Sequence, residues 1–385
     1  MFKKLGGEKM KSKKLLLIVS AFVLILSFIT PGFSASANAQ IQTEKVIVVF
    51  KDKIDKNIIL NARGKVNKEY NNIPALSVSI PSQAINGLKN NPNISIIEKD
   101  IPIKINSQTQ DWGISRTNAP FAWESNITGK NIKISIVDTG VSNHKDLQVV
   151  EGVSFVSDET SYEDNNGHGT HVAGIIGARN NKYGTVGIAP EADLYAVKVL
   201  NKEGIGYLSD VIAGIDWSIK NKMDIINLSL GTTTPSSSLE QIVDEAYGKG
   251  ILIVAAAGNN GTQDGLNDTI EYPARYESVI AVGATNIKDE RLPFSATGSS
   301  IEVVAPGENI YSTYLKNNYT YMSGTSMATP YVAGNLALLK QQNPTLTNIE
   351  LREKLHNNTI DLGIKGRDTS FGYGLIQVPA PNKQE

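Results

Sequence analysis

Cysteine is absent from all 385 residues. That excludes disulfides, thiolate metal sites and a thiol nucleophile. A chain long enough for one large domain and a small one does not need such staples. Histidine is scarce, with four copies, and tryptophan scarcer, with three. No internal repeat or low-complexity tract interrupts the chain, and beyond residue 29 no apolar run approaches the ~20 residues of a membrane-spanning helix. A block of basic residues is also missing. Net charge is −1 overall, but residues 107–385 carry 21 basic against 31 acidic residues, a net of −10. An acidic main domain of this kind argues against nucleic acid or an anionic membrane as partner.

What is present begins with an N-terminus built for export. Lys9, Lys11, Lys13 and Lys14 precede the apolar run Leu15–Ile29, and small-residue cleavage sites follow at Ala35-Ser36-Ala37 or Ala37-Asn38-Ala39. Residues 1–37 are therefore expected to be a signal peptide. An uncleaved anchor is the rival, and Met10 an alternative start. Residues 40–106 carry +4 and alternate strand-like "KVIVVF", "LSVSI" and "NISIIE" with one helix-like piece, "PSQAINGLKNNP", which predicts a small α+β unit. Polar "NSQTQ" (Asn106–Gln110) reads as a linker or processing site.

From Asn131 onward strands and helices take turns. Ile132–Asp138, Leu194–Leu200, Asp224–Leu230, Ile251–Gly258 and Val279–Thr285 are continuous apolar runs, as strands covered on both faces require. Leu208–Lys220 and Leu239–Tyr247 are amphipathic between them. The pattern predicts an α/β fold with a mostly parallel central sheet and helices on both faces, with sites at the strand ends.

Three motifs sit at such ends. "IVDTG" closes the first strand on Asp138, which alone is ordinary turn chemistry. "NGHGTHVAGIIGA" puts His168 at a helix start and His171 three residues on. A metal clamp would need a third ligand, His144 or a carboxylate, and the zincin pattern has a different spacing; His171 is assigned to packing. "SGTSMATPYVAGNLALLK" places Ser326 at the start of an apolar helix, where a capping serine is the bland alternative, with Pro330 expected in its first turn.

Together these supply an acid, an imidazole and a hydroxyl in the order Asp138, His168, Ser326. "VDTGV", "NGHGTHVAG", "AAAGN" and "GTSMATP" all resemble the subtilase signatures. The resemblance covers Trp112–Gln377 and is nearest in character to the minor extracellular proteases of bacilli. It implies a secreted serine endopeptidase, made as a pre-pro-enzyme, that hydrolyses proteins through an acyl-enzyme on Ser326. His168 is its general base, Asp138 the partner of the imidazole, and Asn259 the side-chain donor to the oxyanion. A membrane-tethered protease for one peptide leader is the alternative. The same resemblance assigns Ser229, Leu230 and Gly231 with Ala256, Ala257 and Gly258 to the walls of the pocket for the residue before the scissile bond. Gly204, Ile205 and Gly206 become the edge that pairs with substrate backbone. Glu271 falls near the pocket base, where a carboxylate favours Lys or Arg, though a solvated surface position is an equal alternative. Gln108, Asp146, Asn181 and the backbone oxygens of Arg179, Tyr183 and Thr185 match a structural Ca2+ site. Residues 40–106 resemble the inhibitory propeptide, a folding aid as well, and 107–385 the peptidase domain. Partners are then protein or peptide substrates and the propeptide, with no nucleic acid, no stable membrane association and a monomeric state. Activity should rise with pH near the ordinary histidine pKa of about 6.5.

Overall fold

In the first unit of the chain, apolar residues at alternate positions of Thr43–Phe50 face one way. Val46, Val48 and Phe50 are buried while their neighbours are partly exposed, as a half-covered strand demands. The computed structural model describes residues 42–101 and 107–378. The signal peptide, its candidate cleavage sites and the junction at 104–106 lie outside the described residues. The chain divides into two units, one through Lys104 and one from Ile105.

The first unit runs β1 (Thr43–Phe50), α1 (Lys56–Asn61), β2 (Lys65–Glu69), β3 (Ala75–Pro81), α2 (Ser82–Lys89) and β4 (Ile94–Lys99). Its antiparallel sheet has the order β2-β3-β1-β4. Ile59 of α1 and Leu88 of α2 pack with Val46, Val48, Leu76, Val78 and Ile80 in one core. Two of these elements were not predicted. Helix α1 has only six residues, and β2 keeps just Val66 half-covered among exposed residues, so neither shows a periodicity.

The second unit continues α3 (Trp112–Arg116), α4 (Ala119–Trp123), β5 (Lys133–Asp138), β6 (Val149–Ser154), α5 (His168–Gly177), β7 (Asp193–Lys198), α6 (Leu208–Lys220) and β8 (Ile225–Leu228). Then come α7 (Ser237–Gly248), β9 (Leu252–Ala256), β10 (Ile280–Thr285), β11 (Ile301–Pro306), β12 (Ile310–Tyr314), β13 (Asn318–Met322), α8 (Thr325–Gln342), α9 (Asn348–Asn357), β14 (Thr359–Ile360) and β15 (Leu375–Ile376). Nine strands form one sheet in the order β14-β15-β11-β10-β9-β8-β5-β7-β6, and only the β14–β15 pairing is antiparallel. The α/β expectation holds.

Its central strands are largely apolar because both faces are covered. Ile134 and Ile136 of β5, Ile225 of β8 and Leu252 and Val254 of β9 pack in one core with α5 and α8. Their neighbours Val137, Ile226, Leu228, Ile253 and Ala255 pack in the other with α6 and α7. Burying such a side chain contributes roughly 1.5–3 kcal/mol. From β5 the chain steps past β7 to β6, returns to β7, and then crosses to β8 on the far side. The strand order therefore reverses at β5, and the crevice beyond the carboxyl ends of β5 and β8 is where such sheets form sites.

Candidate active site

Asp138 is the last residue of β5 and is fully buried. His168 opens α5, and its Nδ1 donates to Asp138 Oδ1 at 2.8 Å and Oδ2 at 3.0 Å. The Thr139 amide also donates to Asp138 Oδ1, at 2.7 Å. An ionised carboxylate only accepts, so the proton sits on Nδ1 and Nε2 is left with a lone pair. The glycines beside His168 make the approach possible. Gly167 has φ +109°, and a side chain there would collide with the Tyr314 ring. A Cβ on Gly169 would strike the Gly140 carbonyl.

A second carboxylate, unremarked in the sequence reading, organises this turn. Asp164 is 3% exposed. It accepts from the amides of Asn166 (2.9 Å), Gly167 (2.9 Å) and Thr170 (3.0 Å) and from the Thr170 hydroxyl (2.6 Å). Burial lowers the His168 pKa, but the charge and hydrogen bond of Asp138, with the charge of Asp164, outweigh it and leave the pKa raised above 6.5. The acid limb of activity is therefore expected above the ordinary histidine value.

The other two nearby histidines are structural. His171 is fully buried; its Nε2 donates to the carbonyls of Ile310 (3.0 Å) and Thr320 (3.2 Å), and burial lowers its pKa to about 4. His144 accepts the Asp146 amide on Nδ1 (3.1 Å) and donates from Nε2 to Asn318 O (3.1 Å). With both nitrogens committed, His144 cannot complete a metal clamp. Among the described residues no three His, Asp or Glu side chains converge on a metal position.

Ser326 is the second residue of α8, after Gly324 as N-cap, so it is not itself the cap. Its hydroxyl donates to Ser229 O (3.1 Å), and the Ser229 hydroxyl donates back to Ser326 O (2.9 Å). The second bond has a local cause. Pro330, expected in the first turn, lies deeper, four residues after Ser326, and has no N–H to offer the Ser326 carbonyl. Ser229 supplies the missing donor. Ser229 directly follows β8, the neighbour of β5, so Ser326 and Asp138 share one edge of the sheet.

Asn259 follows β9. Its Oδ1 accepts both the amide (3.0 Å) and the hydroxyl (3.1 Å) of Thr325. A backbone N–H can only donate, so the oxygen must face Thr325 and Nδ2 is the free end. The Ser326 N–H, at the positive end of α8, has no partner among the described residues. Two donors therefore stand ready where a negative oxygen could form.

Ser229, Leu230 and Gly231 extend β8, and Ala256, Ala257 and Gly258 extend β9, giving two walls on adjacent strands. Glu271 lies between them. A Cβ on Gly231 would come within 2.5 Å of its Oε2, and one on Gly258 within 2.8 Å of its Cδ. Asn260 donates to Glu271 Oε1 at 2.6 Å. Burial raises the Glu271 pKa, partly offset by that bond. Gly204, Ile205 and Gly206 lie in an exposed loop after β7, outside any strand.

The residues expected to hold a cation contact one another. Gln108 Nε2 donates to Arg179 O (2.6 Å) and Thr185 O (2.8 Å). Asn181 Nδ2 donates to Asp146 Oδ1 (2.7 Å), and the amides of Thr185 and Tyr183 reach Asp146 Oδ2 (2.9 Å) and Asn181 Oδ1 (3.2 Å). Rotating the Gln108 amide would turn its Oε1 towards the same carbonyls and, with the Asp146 carboxylate, add to the hard oxygens that calcium prefers; Asn181 Oδ1 is held by the Tyr183 amide. Tyr319, which the sequence reading missed, donates its hydroxyl to Asp146 Oδ2 at 3.2 Å.

Comparison with known proteins gives a family match. The model described as the Subtilase family matches residues 129–374. The chain is 46% identical to Minor extracellular protease Epr of Bacillus subtilis (strain 168), over 96% of this chain and 59% of that protein. It is 41% identical to an alkaline protease of Alkalihalobacillus alcalophilus over 95% and 98% of the two chains, and 42% identical to Subtilisin E of Bacillus subtilis (strain 168) over 96% and 99%.

Proposed function

This chain belongs to the subtilase family and is a serine endopeptidase, and from that premise we propose a secreted enzyme whose nucleophile is Ser326. His168 Nε2 takes the Ser326 proton as the oxygen attacks the peptide carbonyl, and then delivers it to the leaving amine. Asp138 holds the imidazole tautomer and stabilises the imidazolium. To enter this path the Ser326 hydroxyl turns away from Ser229 O towards His168. The tetrahedral oxyanion is held by the Ser326 N–H and Asn259 Nδ2, which Thr325 keeps pointed outward. Water then hydrolyses the acyl-enzyme. The observation that supports this reading is the His168–Asp138 pair on the same sheet edge as Ser326 and Asn259.

Substrate is bound between the walls Ser229–Gly231 and Ala256–Gly258 and along Gly204–Gly206. Glu271 at the pocket base selects Lys or Arg before the scissile bond. Calcium binding is general in the subtilisin family, and Gln108, Asp146, Asn181 and the carbonyls of Arg179, Tyr183 and Thr185 would hold it here. The ion would cross-link the 107–109 segment to the 179–185 loop and take no part in the chemistry. Residues 40–106 act as propeptide, and the mature enzyme is a monomer. Among the described residues no helix is long and apolar enough to cross a membrane.

The test is Ser326→Ala in the secreted protein. Hydrolysis of casein should fall by orders of magnitude, and labelling by a serine-directed sulfonyl fluoride should vanish. Hydrolysis that survives the substitution removes the assignment.

A further inference from the structure

Lys198 is fully buried, and nothing in the reaction above uses it. It is the last residue of β7 and the register partner of Asp138 on β5. Its Nζ donates to Thr139 O and Leu200 O, both at 2.8 Å, and lies 3.2 Å from Glu159 Oε2. An ammonium has three donors and no acceptor, so this shell uses all of them. Keeping such a charge in a protein interior is unfavourable unless its partners are complete.

The three partners come from three segments of the site. Thr139 follows Asp138, holds its carboxylate through the amide, and accepts the Gly169 amide on Oγ1 at 2.9 Å. Glu159 belongs to the segment leading to His168. Leu200 opens the loop that carries Gly204–Gly206. That loop is closed on itself: Asn201 N donates to Ile205 O (2.9 Å), and Asn201 Oδ1 accepts from the amides of Glu203 and Ile205 (3.0 Å each). It therefore moves as one piece, and its placement depends on its anchors. One anchor is Asn166, whose Nδ2 donates to Lys202 O at 2.9 Å. Another is the Val199–Leu200 segment, whose amides donate to Asp138 O (2.9 and 3.2 Å) and whose Leu200 carbonyl accepts from Lys198.

We propose that Lys198 is a positioning residue that fixes the Gly204–Gly206 edge against the Asp138 turn, so that an extended peptide is delivered to the nucleophile in register. This rests on reading Gly204–Gly206 as the edge that pairs with substrate. A short substrate confined to the pocket between the two walls does not need that edge, whereas a tetrapeptide does.

The readout is the ratio of kcat/KM for a tetrapeptide to that for a single-residue ester bearing the same pocket residue. In Lys198→Met the ratio should fall at least tenfold, chiefly through the tetrapeptide KM. Glu159→Gln, which removes the part-exposed counter-ion, should lower the ratio in the same direction by a smaller factor, and it decides the matter if Lys198→Met is not secreted. Equal losses on both substrates, or an unchanged ratio in Glu159→Gln, overturn the proposal. A parent enzyme that gains nothing from the longer peptide removes the edge reading itself, and the proposal with it.

Discussion

Replacing Glu271 by Gln keeps the shape of the proposed pocket base and deletes its charge. A substrate ammonium or guanidinium about 4 Å from the carboxylate gains ~4 kcal/mol at the effective dielectric of ~20 that suits partly buried pairs. Both charges lose water on pairing, and solvent still reaches this half-buried glutamate, so the net preference should be about 1–2 kcal/mol. At ~1.4 kcal/mol per tenfold, kcat/KM for a lysine peptide relative to its methionine counterpart should drop about 5- to 30-fold in Glu271→Gln. The preference should also depend on pH. Burial raises the Glu271 pKa above 4.5, so the carboxylate is ionised above that raised value and the bias towards lysine fades as pH falls through it. Taking the ratio of two peptides cancels the His168 limb, which acts equally on both. The measurement is a pair of fluorogenic peptides differing only in the residue before the scissile bond, assayed across pH in parent and variant. A lysine-to-methionine ratio that is unchanged by Glu271→Gln, or flat with pH in the parent, refutes the reasoning.

Asp164→Asn removes a negative charge that favours the imidazolium of His168; the acid limb of kcat/KM should move to lower pH, and an upward or absent shift would contradict the assignment. The oxygen cluster around Gln108 should make the enzyme lose thermal stability in a calcium chelator, with Gln108→Ala blunting that loss; equal melting temperatures with and without chelator would argue against calcium there. Asn335, fully buried in α8, has no hydrogen-bond partner among the described residues for either Oδ1 or Nδ2. An orphaned buried group costs about 1–3 kcal/mol, and a water-sized void of ~30 Å3 costs only ~0.7 kcal/mol, so Asn335→Ala should stabilise by about 1–2 kcal/mol. Thermal unfolding in a Ser326→Ala background, free of autolysis, checks this, and a lowered midpoint would show that the amide is satisfied.

How much of this was legible in the sequence depended on how a signal is written. The strands that carry Asp138 and Asn259 announced themselves because double-sided burial leaves uninterrupted Val and Ile runs. Strand β11 was missed although all six of its residues are buried, because Glu302 breaks the apolar run, and Glu302 is tolerated there only through its bonds to Arg352 and His356. Edge strand β6 was missed because Glu151 and Val150 are exposed. His168 and Ser326 could be named from motifs. The supporting shell could not: Asp164 reads as one more loop acid in "EDNNGHG", and Thr325 as part of a turn. Lys198 stands inside an ordinary strand run, and its role exists only once β5 and β7 are side by side.

The paired serines at positions 229 and 326 join the proposed pocket wall to the proposed nucleophile in both directions. A side chain that wedges that wall open therefore tugs on the reactive alcohol as well. Selectivity and turnover are mechanically geared together on this side of the cleft. Glu271, between the walls, is tied instead to Asn260 (2.6 Å) and to the Ala257 carbonyl (2.8 Å), so changing its charge leaves that pair of serines untouched.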